Sequence, residues 1–382
     1  LHLCGDDSVM ELVGSLSKQC GDVVEYHAYT RRSPLSVASE SLRGSWKNLQ
    51  RGDALIVFAR DECYRTKAAI ESTVKGKKCC VIYGKLPPET KSAQAGLFNS
   101  SSGSHDFLIA TDAIGLGLNL NIRRVVFTAL TKFVGREEKK LEAPEVRQIA
   151  GRAGRAGSEY PEGIVTTLFQ KDLGSLKRYM GADLNRVSLQ AGLVPGDEQF
   201  LEHAELSNQE SVVDVIEDFL SLAQMDSDYF LCQNRLLDMR DIAILIDDLP
   251  FPHMAERIAF TKAPVHMGNP DVKSEFIRLA SKFASGHPAS LSDYYRHDSH
   301  LSVHQICRSY RLLKRLETRY AVLDMYLYLA TLLGGRHFGD MELAQQLRAK
   351  TVETLREVLA SGRRITPPPQ MKRNLKRDGT RS

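Results

Sequence analysis

Two arginines three positions apart carry the strongest chemical signal in this sequence. Arg152 and Arg155 follow Gln148 in the segment Gln148-Ile-Ala-Gly-Arg-Ala-Gly-Arg155. Guanidinium groups present several donors to phosphate oxygens, and an arginine that reaches a γ-phosphate across a cleft speeds phosphoryl transfer by roughly 10³–10⁵. The spacing predicts one short helix that carries both arginines at the carboxyl edge of a parallel sheet. A basic surface helix without this role is the alternative.

A second polar segment precedes the arginines. An apolar run ends at Ala110 and is followed by Thr111 and Asp112, then by Gly117 and Asn119. A threonine hydroxyl and free backbone N–H groups at the end of a buried strand are suited to hold nucleic-acid phosphates. The glycine spacing lacks the third glycine of a dinucleotide-binding fingerprint. The segment therefore predicts a phosphate-binding turn.

Alternating strands and helices must position these segments. Residues 1–170 contain short apolar runs separated by amphipathic stretches, which predict an α/β domain with a parallel sheet covered on both faces. The predicted strands are Leu1–Cys4, Ala54–Ala59, Cys79–Tyr83, Phe107–Ala110, Arg124–Ala129 and Gly163–Phe169, and the predicted helices include Ser8–Lys18 and Cys63–Val74.

Helical periodicity replaces the strand pattern over residues 171–362. Apolar residues recur at helical spacing in Ser211–Met225, Val303–Leu333 and Met341–Leu359, which predicts an all-α C-terminal domain. The tail, residues 363–382, contains three consecutive prolines and several basic residues, and we expect it to be disordered.

Composition excludes some classes of protein. The net charge of +4 is compatible with a polyanionic partner but does not require one. No apolar run approaches the ~20 residues that cross a bilayer, so we expect no membrane segment. The seven cysteines include no C-x-x-C pair, which favours a reducing compartment over a disulfide framework or a zinc ribbon. The chain starts at Leu1, inside a predicted strand, and we expect it to be a piece of a longer protein.

The two segments together resemble motifs V and VI of superfamily-two DExH/DEAD-type helicases. Further matches are similar to the Suv-three type, the mitochondrial degradosome RNA helicases. They are Tyr29-x-Arg31-x-Ser33-Pro34-Leu35, Val81–Lys91, Ala93-Gln94, Phe98-Asn99, Asn119–Arg124 and, more loosely, Ala191–Leu193, Asp228–Phe230 and Leu323–Leu327.

The resemblance implies a fold and a set of residue roles. The fold would be a second RecA-like lobe, residues 1–170, followed by the helical domain. Arg155 would be the arginine finger, with Arg152 and Gln148 as further catalytic groups that face the nucleotide. The residues that would face the cofactor or the seam between the lobes are Gly117, Asn119 and Asp112. Those that would contact RNA are Thr111, Gly84, Lys85 and Arg60.

The resemblance also implies a cofactor, partners and a compartment. These are ATP with Mg²⁺, RNA, an exoribonuclease and the mitochondrion, in an ATP-dependent RNA helicase that acts in RNA turnover. The sequence contains no G-x-x-x-x-G-K-[ST] loop, since Val74–Lys78 has neither the loop length nor the hydroxyl. Asp61-Glu62-Cys63-Tyr64 differs from a DExH box in its fourth residue. We therefore expect this chain alone to be inactive.

Several alternatives stay open at this stage. The chain could be a non-catalytic RNA-binding or scaffold protein that retains one lobe, or its substrate could be DNA, because the motifs contact only the backbone. Arg308–Arg319 is basic with interleaved aromatics, which fits an RNA exit path and an ordinary amphipathic helix equally well. His297, His300 and His304 have the spacing of a metal site but lack a general base between them, so we assign no metal.

Overall fold

The computed structural model describes residues 2–361 apart from 6, 101–104, 116, 135–136, 183–189, 227, 297–302, 308 and 335; residues 365 and 367 are also described. The strands are β1 (Leu35–Val37), β2 (Asp53–Ile56), β3 (Cys79–Ile82), β4 (Phe107–Ala110), β5 (Arg124–Phe127), β6 (Thr131–Val134), β7 (Glu137–Lys140), β8 (Gly163–Thr167), β9 (Ala191–Leu193) and β10 (Tyr229–Leu231).

Helices follow the strands along the chain. They are α1 (Met10–Cys20), α2 (Arg60–Thr73), α3 (Pro88–Asn99), α4 (Ala143–Ala150), α5 (Gln170–Met180), α6 (Asp197–Ser207), α7 (Val212–Leu222), α8 (Gln233–Ala243), α9 (Met254–Thr261), α10 (Pro270–Ala284), α11 (Asp293–Arg296), α12 (Val303–Ile306), α13 (Tyr310–Leu333) and α14 (Met341–Ala360). The predicted class, a parallel-sheet α/β domain followed by an all-α region, is confirmed.

Six strands form one parallel sheet in the order β1-β8-β5-β2-β4-β3. The four residues of β2 and of β4 are all buried, which explains why these strands are apolar throughout and do not alternate. Since all six strands are parallel, their carboxyl ends share one edge of the sheet and their amino ends share the other.

One face of the sheet is covered by helices of the same domain. Ala54 and Ile56 of β2 point to this face, where they pack with buried side chains from α3, α4 and α5. The 3-10 turn Asp112–Gly115 adds Ile114 to the same cluster. The chain that links β4 to β5 therefore lies on this face, against α4.

The other face is covered partly by the end of the chain. Leu55 and Val57 pack there with α2 and with buried residues from α12, α13 and α14. The helices α13 and α14 each belong to two cores, because Leu313 and Leu355 lie against the sheet whereas Leu329 and Ala344 lie in the helical cluster. The C-terminal helices thus complete the core of the sheet domain.

Some predicted elements are wrong in type or extent. Residues 2–5 are exposed and form no strand, because an apolar segment forms a strand only if another strand pairs its backbone groups. The helical tract Val303–Leu333 forms two helices in sequence, α12 and α13, which its pattern allowed. The hairpin β6–β7 and the parallel pair β9–β10 were not predicted. Within the predicted tail, Ile365 is buried in the core, whereas residues 368–382 lie outside the described residues.

Candidate nucleotide and nucleic-acid interfaces

The arginine segment begins in α4 but continues beyond it. Glu142 and Glu145 form a capping box at the start of α4, and Gln148 is exposed in its last turn. The helix ends at Ala150, so Arg152 and Arg155 lie in the turns that follow and not on the helix. The predicted single helix is therefore wrong, because the glycines that follow Ala150 end it before either arginine.

Close backbone packing fixes these turns. Gly154 has φ of 70°, and a Cβ atom there would lie 2.2 Å from the backbone nitrogen of Gly163. The Gly154 N–H donates to the Ile122 carbonyl at 2.8 Å, and Ala153 forms a β-bridge with Ile122. Only glycine fits at residue 154, because the neighbouring backbone occupies the space of any side chain.

Arg31 holds the same turns from the other side. Its Nε donates to the Ser33 carbonyl at 2.6 Å, and its NH1 donates to the Gly151 carbonyl at 2.6 Å. Its NH2 donates to the carbonyls of Ala153 and, at 3.1 Å, Gly154. Burial lowers the pKa of Arg31. The sequence analysis quoted Arg31 only as part of a resemblance and assigned it no role.

The two arginines differ in environment. Arg155 is exposed and its N–H donates to the Tyr160 carbonyl at 2.9 Å, whereas Arg152 is half-buried and burial lowers its pKa. In the part of the chain that the structure describes, neither guanidinium forms an ion pair with a carboxylate. Both charges are therefore free to meet an anion.

The arginine segment lies at the amino edge of the sheet, not at the predicted carboxyl edge. Ala153 and Gly154 contact Ile122, just before β5, and Gly163, the first residue of β8. The prediction is based on the assumption that the arginines and the Thr111 turn share the carboxyl edge of the sheet. That assumption fails because the link from β4 to β5 returns along the sheet face and brings Ile122 to the opposite edge.

Three of the predicted RNA contacts meet at the carboxyl edge. Thr111 follows β4, and its N–H donates to the Ile82 carbonyl of β3 at 3.1 Å. Gly84 and Lys85 follow β3 directly and are exposed. The Gly84 carbonyl accepts from Lys91 Nζ at 2.9 Å. Thr111 itself is 7% exposed, and its Oγ1 accepts from the Ala113 N–H at 3.3 Å.

The predicted cofactor residues are divided between the two edges. Asp112 is exposed beside Thr111, and so lies at the edge opposite Arg155. Gly117 has φ of 76°, and the Asn119 carbonyl accepts from Asn99 Nδ2 at 2.8 Å on the way to β5. The roles of Asp112, Gly117 and Asn119 toward the cofactor or the seam between the lobes stay predictions.

Arg60 is not a free RNA contact. Its NH1 donates to Glu317 of α13, and its NH2 lies 3.3 Å from Asp61 Oδ1. Burial alone would lower the pKa of Arg60, but the carboxylate of Glu317 raises it overall. The charge of Arg60 is thus paired within the protein, and its contact with RNA stays a prediction. The sequence could not indicate this pairing, since 257 positions separate the partners.

Glu317 also ties α13 to the end of β3. It accepts from the Tyr83 hydroxyl, which lies 3.0 Å from the Tyr64 hydroxyl, and Tyr310 donates to Asp61. Glu317 is 8% exposed, and burial raises its pKa. This polar cluster lies directly before Gly84 and Lys85, so the helical part of the chain anchors the loop that carries them.

The structure bears on the histidine cluster and on membrane-spanning segments only within the described residues. His297 and His300 lie outside the described residues, and the described residues contain no group of three His, Cys, Asp or Glu side chains that could hold a metal. Among the described helices, none has the length and apolar character to cross a membrane.

Comparison with known families gives three matches along the chain. The helicase conserved C-terminal domain matches residues 37–157, Suv3 C-terminal domain 1 matches residues 241–284, and the ATP-dependent RNA helicase SUV3 C-terminal domain matches residues 313–361.

Curated relatives match nearly the whole chain. The mitochondrial ATP-dependent RNA helicase SUV3L of Oryza sativa subsp. japonica is 35% identical over 94% of this chain and 48% of its own length. The mitochondrial DExH-box ATP-dependent RNA helicase DExH18 of Arabidopsis thaliana is 35% identical over 99% of this chain and 47% of its length. The mitochondrial ATP-dependent RNA helicase SUPV3L1 of Mus musculus is 36% identical over 86% and 42%. The chain therefore spans about half the length of these relatives.

Among solved structures, the Escherichia coli DEAH/RHA helicase HrpB matches with a TM-score of 0.41 and 15% identity, over 91% of this chain and 43% of that chain.

Proposed function

We propose that this chain, which belongs to the SUV3-type superfamily-two helicases and matches their C-terminal part, is the arginine-donating and RNA-contacting lobe of an ATP-dependent RNA helicase. The relatives are named as mitochondrial ATP-dependent RNA helicases, and we extend both the activity and the compartment to this protein as part of the proposal.

The observation that carries the proposal is the construction of the arginine segment. Arg31 and the Gly154–Gly163 contact hold its backbone, while Arg155 stays exposed and Arg152 half-buried without a described carboxylate partner. A protein fixes a backbone and leaves the charges free when an anion must meet those charges in one geometry. We propose that this anion is the triphosphate of ATP.

The residues present fit the phosphates of ATP better than they fit its metal. Arg155 and Arg152 would contact phosphate oxygens, and Gln148, exposed one turn earlier, would bind nearby. ATP with Mg²⁺, bound between this lobe and a second one, would supply a γ-phosphoryl group for transfer to water. We assign the metal and most phosphate contacts to the family's first lobe, because this sequence has no P-loop, and we propose that the chain alone does not hydrolyse ATP.

RNA would bind at the opposite edge of the sheet. There Thr111 offers a hydroxyl, Gly84 offers its backbone and Lys85 offers a charge. Strands β5 and β8, whose first residues lie beside the arginine segment, are four and five residues long, so about 13–17 Å separates this edge from the arginine segment. The link from Thr111 to Ile122 and helix α4 join the two edges along one sheet face. Movement of the lobe as one body would transmit nucleotide contact to the RNA.

The proposal includes a role in mitochondrial RNA turnover and partnership with an exoribonuclease. They follow from the family resemblance alone. Co-purification of a 3′-to-5′ exoribonuclease with the intact protein, retained after nuclease treatment, would support the partnership; recovery of the helicase without such an enzyme would contradict it.

The experiment that tests the motor assignment compares Arg155→Ala with Arg178→Ala in the intact protein. Arg178 is an exposed residue of α5 and serves as the charge-matched control. We expect Arg155→Ala to lower the kcat of RNA-stimulated ATP hydrolysis by about 10³ or more with little change in RNA affinity. An unchanged kcat in Arg155→Ala would contradict the assignment of Arg155 as the arginine finger. An intact protein that binds RNA but shows no RNA-stimulated ATP hydrolysis would favour the non-catalytic RNA-binding alternative.

A further inference from the structure

A cavity of about 860 Å³ lies where the helical part of the chain meets the end of β3. We call it the seam cavity. The lining residues that matter here are Lys85, Asn269, Tyr294, Arg311, Lys314 and Arg315. Lys85 follows β3, Asn269 caps the start of α10, Tyr294 lies in α11, and the other three lie in the first half of α13. The cavity therefore begins at one of the proposed RNA contacts and extends away from the sheet domain.

The charge of the seam cavity is positive. Arg311, Lys314 and Arg315 are three and four positions apart on α13 and so share one helix face. All three are exposed, as is Lys85. Within the described ranges, no carboxylate lies within 4 Å of these four cations. They form a row of available positive charge.

The acidic residues around the cavity are largely neutralised. Glu317 is paired with Arg60, and Glu275 is paired with Arg278, whose NH2 lies 2.7 Å from Glu275 Oε1. Asp271 is the remaining acidic side chain of the lining. An anion that enters the cavity thus meets four cations with no carboxylate partner and one carboxylate.

An aromatic ring lies beside the cations. Tyr294 is 57% exposed, and its hydroxyl accepts hydrogen bonds from Arg315 Nε at 3.1 Å and NH2 at 2.9 Å. The ring also packs edge-on against Tyr295, with centroids 4.8 Å apart. A large ring that is fixed in place yet exposed provides a surface on which a nucleic-acid base can stack.

We propose that the seam cavity is a binding site for single-stranded RNA, in which Arg311 and Lys314 contact phosphates and Tyr294 stacks on a base. The strand would continue from Thr111 and Lys85 at the sheet edge onto α13. Cations alone would also suit an acidic peptide. The aromatic ring and the continuity with Lys85 favour a nucleic acid, because stacking combined with phosphate contact is how single strands are bound. The inference rests on the proposed function.

The test uses the intact protein and a fluorescein-labelled single-stranded RNA, with affinity measured by anisotropy over a range of salt concentrations. Arg311→Ala/Lys314→Ala removes two charges from the cavity, and Lys177→Ala/Arg178→Ala removes two exposed charges from α5, on the other face of the sheet. We expect the first pair to weaken binding about tenfold and to reduce the slope of log Kd against log salt by about 1.4. The second pair should change neither.

Substitution of Tyr294 tests base stacking without a change in the net charge of the seam cavity. Tyr294→Ala should weaken RNA binding about tenfold, and Tyr294→Phe should restore most of the affinity, since phenylalanine keeps the stacking surface. Circular dichroism and thermal unfolding confirm that each variant folds. Equal affinities for Arg311→Ala/Lys314→Ala and its control would overturn the seam cavity as an RNA site, and this outcome leaves the Arg155 experiment independent. If Arg311→Ala/Lys314→Ala weakens RNA binding while Arg155→Ala keeps a normal kcat, the seam cavity is supported as an RNA site and the motor assignment is contradicted.

Discussion

The guanidinium of Arg31 lies 2.6 Å from the carbonyl oxygen of Gly151, 120 positions later in the chain. A second branch of the same side chain reaches Gly154. One arginine thereby fixes the backbone on which two others are presented. Arg31 is thus a positioning residue for Arg152 and Arg155.

Replacement of Arg31 by lysine should disturb the position of the Arg152 and Arg155 backbone while the positive charge at residue 31 is kept. Arg31→Lys keeps the positive charge but cannot reach several carbonyl oxygens at once. We expect a loss of about 2–4 kcal/mol in the free energy of unfolding and a lower kcat of RNA-stimulated ATP hydrolysis, with RNA affinity retained. Urea unfolding and steady-state kinetics measure the two effects. The neighbour Arg32→Ala is the control, and equal effects at the two positions would rule out the positioning role.

Gly154 offers a second test of the same turns. Gly154 and Gly157 both have positive φ, but a Cβ atom at Gly154 meets the Gly163 backbone whereas one at Gly157 meets nothing within 4 Å. Gly157→Ala should cost about 1 kcal/mol for the strained φ alone. Gly154→Ala should cost at least about 3 kcal/mol, because the backbone must move. Urea unfolding of both variants isolates the contact, and similar losses would show that the close approach is not important for stability.

The buried strands and the polar residues that follow them could be predicted from the sequence, whereas the contacts between distant segments could not. Buried strands such as Phe107–Ala110 are visible as local apolar runs, and Thr111 and Lys85 follow such runs directly. Local rules decide these features. The place of Arg155 depends on the Gly154–Gly163 contact, and the partner of Arg60 lies in α13. Both require knowledge of which distant segments meet, which no periodicity in the sequence supplies.

The glycines of the arginine segment illustrate the difference. A glycine between two arginines indicates close packing, but its type does not say against which segment. In the structure, Gly154 meets Gly163 of the same domain. The partner can be identified only from the sheet topology.

The buried carboxylate of Glu317 should be far more important than an exposed one. Glu317→Ala leaves the half-buried Arg60 with Asp61 as its remaining carboxylate partner, and we expect a loss of about 2–3 kcal/mol in unfolding free energy. Glu353→Ala removes an exposed partner of Arg356 in α14 and should cost less than about 1 kcal/mol. A Tyr83→Phe/Glu317→Gln double-mutant cycle should give a coupling of about 0.5–3 kcal/mol. A coupling near zero would mean that Glu317 does not tie α13 to β3.

Thiol reactivity should separate the cysteines into two groups. Burial raises the pKa of Cys80 to about 12 and also raises the pKa values of Cys63 and Cys79. Because the thiolate is the reactive form, these three should resist iodoacetamide at pH 8, whereas the exposed Cys4 and Cys20 should be alkylated. Mass spectrometry of tryptic peptides measures the labelling, and all five should react in guanidinium chloride. Rapid labelling of Cys80 in the native protein would contradict the buried position of β3.

The packing of α13 and α14 against the sheet affects when the sheet domain can fold during synthesis. Val57 and Val81 emerge from the ribosome early, yet their packing partners Leu355 and Leu359 are translated some 300 residues later. Until the C-terminal helices are made, only α2 of the helices on this face covers the sheet, so a nascent chain exposes an apolar surface that chaperones must shield. Premature termination before residue 355 would therefore yield an aggregation-prone fragment and not a smaller folded lobe.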